Sequence, residues 1–151
     1  MDVEAIYLRH VDTVYRVCYS FMGNAADSED ATQSTFVKLM KARPTFTNEE
    51  HEKAWLIRVA SNHCKDVLKS SVRKGVSLES VAEPAADERG LDLALDAVLA
   101  LDSKYKDVVY LHYYEGYSAA DIARMLGKPS LTVRTHLREA RAILRKALGG
   151  Q

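Results

Sequence analysis

Little in this chain marks it as extracellular, membrane-spanning or β-rich. Only two of its 151 residues are cysteine. Cys18 and Cys64 form no CxxC or other metal-ligand spacing, so neither a disulfide framework nor a thiolate metal site is expected. Both fall on apolar helical faces and read as buried free thiols of a reducing cytoplasm, a bond between them being the less favoured alternative. No run of eighteen apolar residues occurs, so no membrane insertion is expected. The opening MDVEAIYLRHVD lacks the basic-then-apolar layout of a secretion signal. Seven glycines and three prolines leave few turn positions, and sustained alternation is absent, so strands are not expected. A nucleophile elbow, a phosphate-binding glycine loop and a metal-ligand set are also missing. The sequence therefore predicts no catalysis, no cofactor and no metal; His63 beside Cys64 lacks further ligands at a sensible spacing.

What is present is a globular composition, 47% hydrophobic and 28% charged, with an uneven spread of charge. The formal net charge is zero. Yet from Ile122 onward Arg124, Lys128, Arg134, Arg138, Arg141, Arg145 and Lys146 are opposed only by Glu139. Positive charge gathered at one end suggests a local anionic partner. Asp27, Glu29 and Asp30 make a different segment acidic, which suggests a different partner there.

Nearly every segment carries helical spacing. The first predicted helix runs from about Asp2 to Phe21, with Val3, Tyr7, Val14 and Cys18 on one face and Ile6, Val11 and Tyr15 beside them. Gly23-Asn24 ends it. Asp27 is the expected cap of the second helix, which carries Phe36, Leu39 and Met40 and stops before Pro44. A third helix is expected from about Glu49 to Ser70, with Leu56, Ala60, Cys64 and Val67 as its stripe and Trp55 and Val59 alongside. Apolar periodicity then lapses until about Gly90. The expected architecture is all-α: two small helical domains, 1–70 and 91–151, joined by a flexible polar linker, 71–90. Fully stretched, such a linker spans roughly 66 Å. In the second domain, Leu91 to Leu99 mark a short helix. Ser103 is the expected cap of a helix ending near Gly116, Ser118 of one closed by Gly127, and Ser130 of the last and longest.

The segment from Tyr117 to Leu148 has the layout of a helix-turn-helix. Ala123 is small where two helices cross, Gly127 suits a left-handed turn, and Pro129 stiffens the turn just before Ser130. Ile122, Leu126, Val133 and Leu137 supply an apolar seam. In such a unit the second helix enters the DNA major groove. Arg134, Thr135, His136 and Arg138 are expected on its outward face, where arginine can meet guanine edges bidentately. Arg141, Arg145 and Lys146 lie further along and suit phosphate electrostatics.

In order along the chain, three segments resemble the extracytoplasmic-function (ECF) subfamily of bacterial RNA polymerase sigma factors. DSEDATQSTFVKLMKA (27–42) is similar to the acidic-start helix that the family docks on polymerase. AWLIRVASNHCKDVLKS (54–70) is similar to its promoter-opening helix, and the segment from Leu101 to Leu144 to its −35-reading domain. The resemblance implies that Asp27, Asp30, Gln33, Phe36 and Lys38 contact core RNA polymerase. It implies that the loop from Pro44 to His51, with Phe46 and Asn48, holds an unpaired base of the −10 element. Asn62, Lys65, Asp66 and Lys69 would face the same DNA; Trp55 could stack on DNA, but its place beside the apolar stripe favours the core. Lys128, Ser130, Thr132, Arg134, Thr135, His136, Arg138 and Arg141 would contact the −35 element. A monomer on polymerase, promoter DNA and an anti-sigma factor are the implied partners, and no sensing segment beyond the two domains is expected. Leu131, His136 and Glu139 depart from the family pattern. Leu131 stands where a small residue is frequent, so the entry to the recognition helix is expected to pack differently; His136 and Glu139 stand where basic residues are common, and this pair would shift −35 preference, make His136 a pH-sensitive phosphate contact, or weaken binding.

Two other readings remain open on sequence grounds: a stand-alone helix-turn-helix regulator whose N-terminal bundle dimerises, and an adaptor that keeps the fold but binds only protein. The first leaves segments 27–42 and 54–70 without a role.

Overall fold

The computed structural model describes residues 1–73 and 96–149, and these fall into two compact units. No strand occurs among the described residues, which agrees with the all-α expectation. The expected linker lies outside the described residues from position 74 onward, as do residues 91–95 of the short helix after it.

The first unit is a three-helix bundle. Helix α1 (Val3–Met22) is capped by Asp2, whose side chain accepts from the Ala5 N–H at 3.1 Å. It stops at Gly23, where φ is 78° and the N–H reaches the Tyr19 carbonyl at 2.9 Å; a left-handed residue here is inexpensive only for glycine. Helix α2 (Ala25–Ala42) restarts at once. Its cap is Asn24 and not Asp27: the Asn24 side chain accepts from the Asp27 N–H and donates to the Asp27 carboxylate, both at 2.9 Å. The one-residue turn at Gly23 brings the helix start forward, so Asp27 falls in the first turn, where its charge favours the helix dipole. Helix α3 (Glu49–Arg73) extends three residues past the expected end. Asn48 accepts from the His51 N–H at 2.8 Å and so caps it.

Ile6, Val14, Val17, Cys18, Phe21, Phe36, Leu39, Leu56, Ile57, Ala60 and Cys64 form the buried interior of this unit. The face of α1 is turned relative to the expectation. His10 is buried while Tyr7 is 42% exposed, because α1 packs against both α2 and α3 and so presents a broader stripe one step round the helix. Met40, expected on the apolar face of α2, is exposed. Ser28, Thr32 and Thr35 are buried in its place, and their hydroxyls donate to the carbonyls of Asn24, Ser28 and Ala31 at 2.6–2.9 Å. Bonding back to its own helix lets a hydroxyl residue enter an interface without an unmet donor. Cys18 and Cys64 are buried and free, as expected. Their mutual hydrogen bond draws the Cys18 thiol below its usual value.

The second unit opens with a helical turn at 96–99. Helix α4 (Ser103–Val109) is capped by Asp102, not Ser103: the carboxylate accepts from the Lys104 N–H at 3.1 Å. The helix then widens into a π-helical turn, Tyr110–Tyr114, before Gly116 at φ 80°. Helices α5 (Ala119–Leu126) and α6 (Ser130–Ala147) complete the unit. Val108, Leu111, Ile122 and Val133 are fully buried, and Val98, Leu101, Tyr105, Val109 and Ala140 form an apolar cluster with Leu144 packed against it.

Candidate nucleic-acid interface

Helices α5 and α6 form the expected helix-turn-helix. Ser118 caps α5, accepting from the Asp121 N–H at 3.1 Å. Gly127 turns the chain at φ 67°, and the Lys128 N–H returns to the Ala123 carbonyl at 3.0 Å. The cap of α6 is Pro129 in extended conformation, not Ser130; the Pro129 carbonyl accepts from the Val133 N–H at 3.2 Å. The fixed proline φ pre-sets this residue, and Ser130 becomes the first helical position. Ile122, Ala123, Leu126, Val133, Leu137 and Ala140 are buried, so the seam is the predicted one extended by a turn.

That seam fixes which side of α6 faces solvent. Arg134, Arg138, Arg141 and Arg145 are all exposed. At 3.6 residues per turn they fall within about 60° of one another, and their centre lies about 100° from the seam. Glu139 is on the other flank, where its carboxylate accepts from the Tyr105 hydroxyl at 2.9 Å. This bond raises the Tyr105 phenol above its usual value. The single acid of the segment is thereby turned away from the arginine stripe and does not neutralise it.

The remaining residues expected at the −35 element are placed unequally. Ser130 and Thr135 are half-buried on either side of the stripe, and Thr132, also half-buried, falls beside Glu139 on the other flank. Arg141 donates from Nε to the Tyr113 hydroxyl at 3.1 Å. Lys128 lies 3.5 Å from the carboxylate of Asp107, a residue only 1% exposed, so its ammonium supports α4 as well as bordering the turn. His136, expected on the outward face, lies half-buried on the Glu139 flank. Its ring meets Tyr105 edge-on with centroids 5.6 Å apart. Burial, followed by the field of Lys128, holds its imidazole below the usual histidine value. The helical period explains this: position 136 falls between the seam and Glu139, not on the arginine stripe.

In the first unit, Asn62, Asp66 and Lys69 are exposed on one side of α3, with Lys65 half-buried at its edge. Exposed Arg58 continues the same stripe one turn earlier. Sequence reasoning missed it, although its spacing of four from Asn62 was the available signal. The loop between α2 and α3 is anchored on the first turn of α3. Besides the Asn48 cap, the Thr47 N–H donates to His51 Nδ1 at 3.2 Å. Phe46 meets His51 and Trp55 edge-on, with centroids 5.2 and 6.0 Å apart. Trp55 is therefore half-buried under the loop and is not part of the deep core. Phe46 also lines a groove of about 490 Å³ with Ile6, Arg9, Arg43, Pro44 and Glu52.

A buried ionic group supports that groove, and the sequence had no signal for it. Glu52 accepts from Arg9 Nη2 through both carboxylate oxygens at 3.0 Å and from Arg9 Nε at 3.2 Å. His10 Nε2 donates to the same carboxylate at 3.0 Å.

On α2, Asp30 and Gln33 are exposed one turn apart, and Asp27 is half-buried in the first turn. Lys38 reaches His63 Nδ1 of α3 at 3.2 Å. Burial and then Lys38 hold the His63 imidazole below its usual value. Phe36 is buried, 4.9 Å centroid to centroid from Tyr7; it faces the bundle interior and not the surface that Asp30 and Gln33 share. Among the described residues no group of three or more His, Cys, Asp or Glu side chains could hold a metal ion, and no helix is long and apolar enough to cross a membrane.

Residues 6–74 match the Sigma-70 region 2 family, and residues 91–144 match Sigma-70, region 4. The chain is 32% identical over 142 residues to the ECF RNA polymerase sigma factor BldN of Streptomyces coelicolor, covering 86% of this chain and 54% of BldN. It is 28% identical over 166 residues to the ECF RNA polymerase sigma factor SigW of Bacillus subtilis, covering 97% of this chain and 87% of SigW. The chain thus spans about half the length of the first relative and most of the second. Its fold is similar to that of the sigma factor RpoE from Bartonella quintana, solved in complex with the anti-sigma factor NepR. The TM-score is 0.80 at 24% identity, over 97% of this chain and 96% of that one. Both family matches fall on the two helical units just described, and on these grounds the chain belongs to the ECF subfamily of sigma-70 factors.

Proposed function

We propose that this protein is a promoter-specificity subunit of RNA polymerase that acts by binding and carries out no chemistry itself. Helix α6 would enter the major groove of the −35 element. The observation that carries this is the arginine stripe of α6, left uncompensated because Glu139 is turned onto Tyr105. Arg134 and Arg138, in the first turns, are positioned to read bases, and Arg141 and Arg145 to hold phosphates. In the first unit, Asp30 and Gln33 of α2 would engage the core enzyme. Arg58, Asn62, Asp66 and Lys69 of α3 would follow the −10 DNA, and Phe46 with its groove would take an unpaired base. Asn48 contributes to that pocket chiefly by capping α3. Contacts that exist only when bases are unpaired favour the open duplex, since a ligand shifts an equilibrium by its differential affinity for the two states.

The chain would act in the cytoplasm as a monomer on polymerase. The residues from about 74 to 90 would serve as the tether between the two DNA-binding units. The complex of the structural relative with NepR supports regulation by an anti-sigma factor here as well. The test is reconstitution with core polymerase lacking any specificity subunit, followed by run-off transcription from a genomic library. Co-purification with core and discrete start sites sharing two spaced elements are expected. A chain that ignores core polymerase, or that binds it without conferring start sites, would overturn the proposal.

A further inference from the structure

Leu131 is the second residue of α6, and it is 70% exposed. The seam formed by Val133, Leu137 and Ala140 lies on another side of the helix, so Leu131 is not part of the core. On an ideal helix it sits about 60° from Arg134 and about 20° from Arg138. It therefore belongs to the arginine stripe and is its apolar member. Residues in the first turns of the second helix of a helix-turn-helix approach base edges.

In the major groove the four base pairs differ in donors, acceptors and one apolar group, the C5-methyl of thymine. Ser130, Arg134 and Arg138 can address donors and acceptors. The side chain of Leu131 offers only apolar surface. We infer that Leu131 is a specificity-determining residue that selects thymine in the −35 duplex through its C5-methyl. This rests on the proposed −35 role of α6. Contact with the methyl removes apolar surface from water on both partners. Against cytosine, the same side chain would cover the N4 amino group without offering an acceptor.

The experiment is fluorescence anisotropy of the full chain on −35 duplexes in which each thymine in turn is replaced by deoxyuridine, a change that deletes only the methyl group. Wild type is expected to lose about fourfold in affinity at one thymine, the equivalent of about 0.8 kcal/mol for one buried methyl-sized group. Leu131→Ala is expected to bind more weakly, to show no further loss at that position, and to match wild type at every other uridine. Its unfolding midpoint should equal wild type, because the side chain is exposed in the free protein. If no uridine position distinguishes the two proteins, the inference is wrong. If neither protein prefers the −35 duplex to scrambled DNA, the promoter role of α6 itself fails, and this inference falls with it.

Discussion

Replacing Glu52 with alanine removes the acceptor shared by Arg9 and His10, and the two partners respond differently. The Arg9 side chain is 35% exposed. Its guanidinium can rehydrate, and losing the ion pair there costs at most about 1 kcal/mol. The His10 side chain is 8% exposed, so its Nε2 donor is stranded away from water, at a cost of about 1–3 kcal/mol. Together the change is expected to destabilise the first unit by about 1–4 kcal/mol. A domain of this size holds only about 4–11 kcal/mol in total, so the effect is large. The assay is equilibrium urea unfolding followed by tryptophan emission. Trp55 is the only tryptophan in the chain and lies in α3 beside the loop, so its signal reports the first unit alone. Glu52→Gln retains an acceptor for His10 and should cost less than alanine. A change under about 0.5 kcal/mol for Glu52→Ala, with an unaltered urea slope, would show that the network contributes nothing net and refute the reasoning.

Arg134→Ala should cost about 1–3 kcal/mol of −35 affinity and relax base preference, whereas Lys146→Ala should weaken all sequences alike and lower the salt slope by about one. Equal, sequence-independent losses in a binding titration would show that Arg134 does not read bases. His136 is held below its usual value in the folded state by burial and Lys128, with Lys104 adding to the effect and Glu139 and Asp107 opposing it. The unfolded chain therefore takes up the proton first as pH falls. The stability contributed by the neutral ring is whole above about pH 6.5 and is lost as pH drops through the lower folded value. Amide NMR of residues 103–147 in urea should show a lower midpoint at about pH 5.5 than at about pH 7.5, with a smaller difference for His136→Gln. Equal pH dependence in the two proteins would assign the titration to other groups.

The period of apolar residues, together with Gly23, Gly127 and Pro44, was enough to read the helices, the two-unit organisation and the helix-turn-helix from the sequence. These features are local: a left-handed turn needs glycine, and a helix repeats every 3.6 residues whatever surrounds it. Caps were legible only to within a few residues. Asn24, Asp102 and Pro129 displaced Asp27, Ser103 and Ser130 because any of several nearby polar or turn-forming residues satisfies the same requirement. Only the tertiary structure decided where the polar side chains point. It placed Glu139 and His136 on Tyr105, Lys128 beside Asp107, Phe36 in the interior, and Glu52 against Arg9 and His10. Those placements depend on partners 21 to 43 positions away in the chain. A polar residue at the border of an apolar stripe has no buried partner until folding brings one to it.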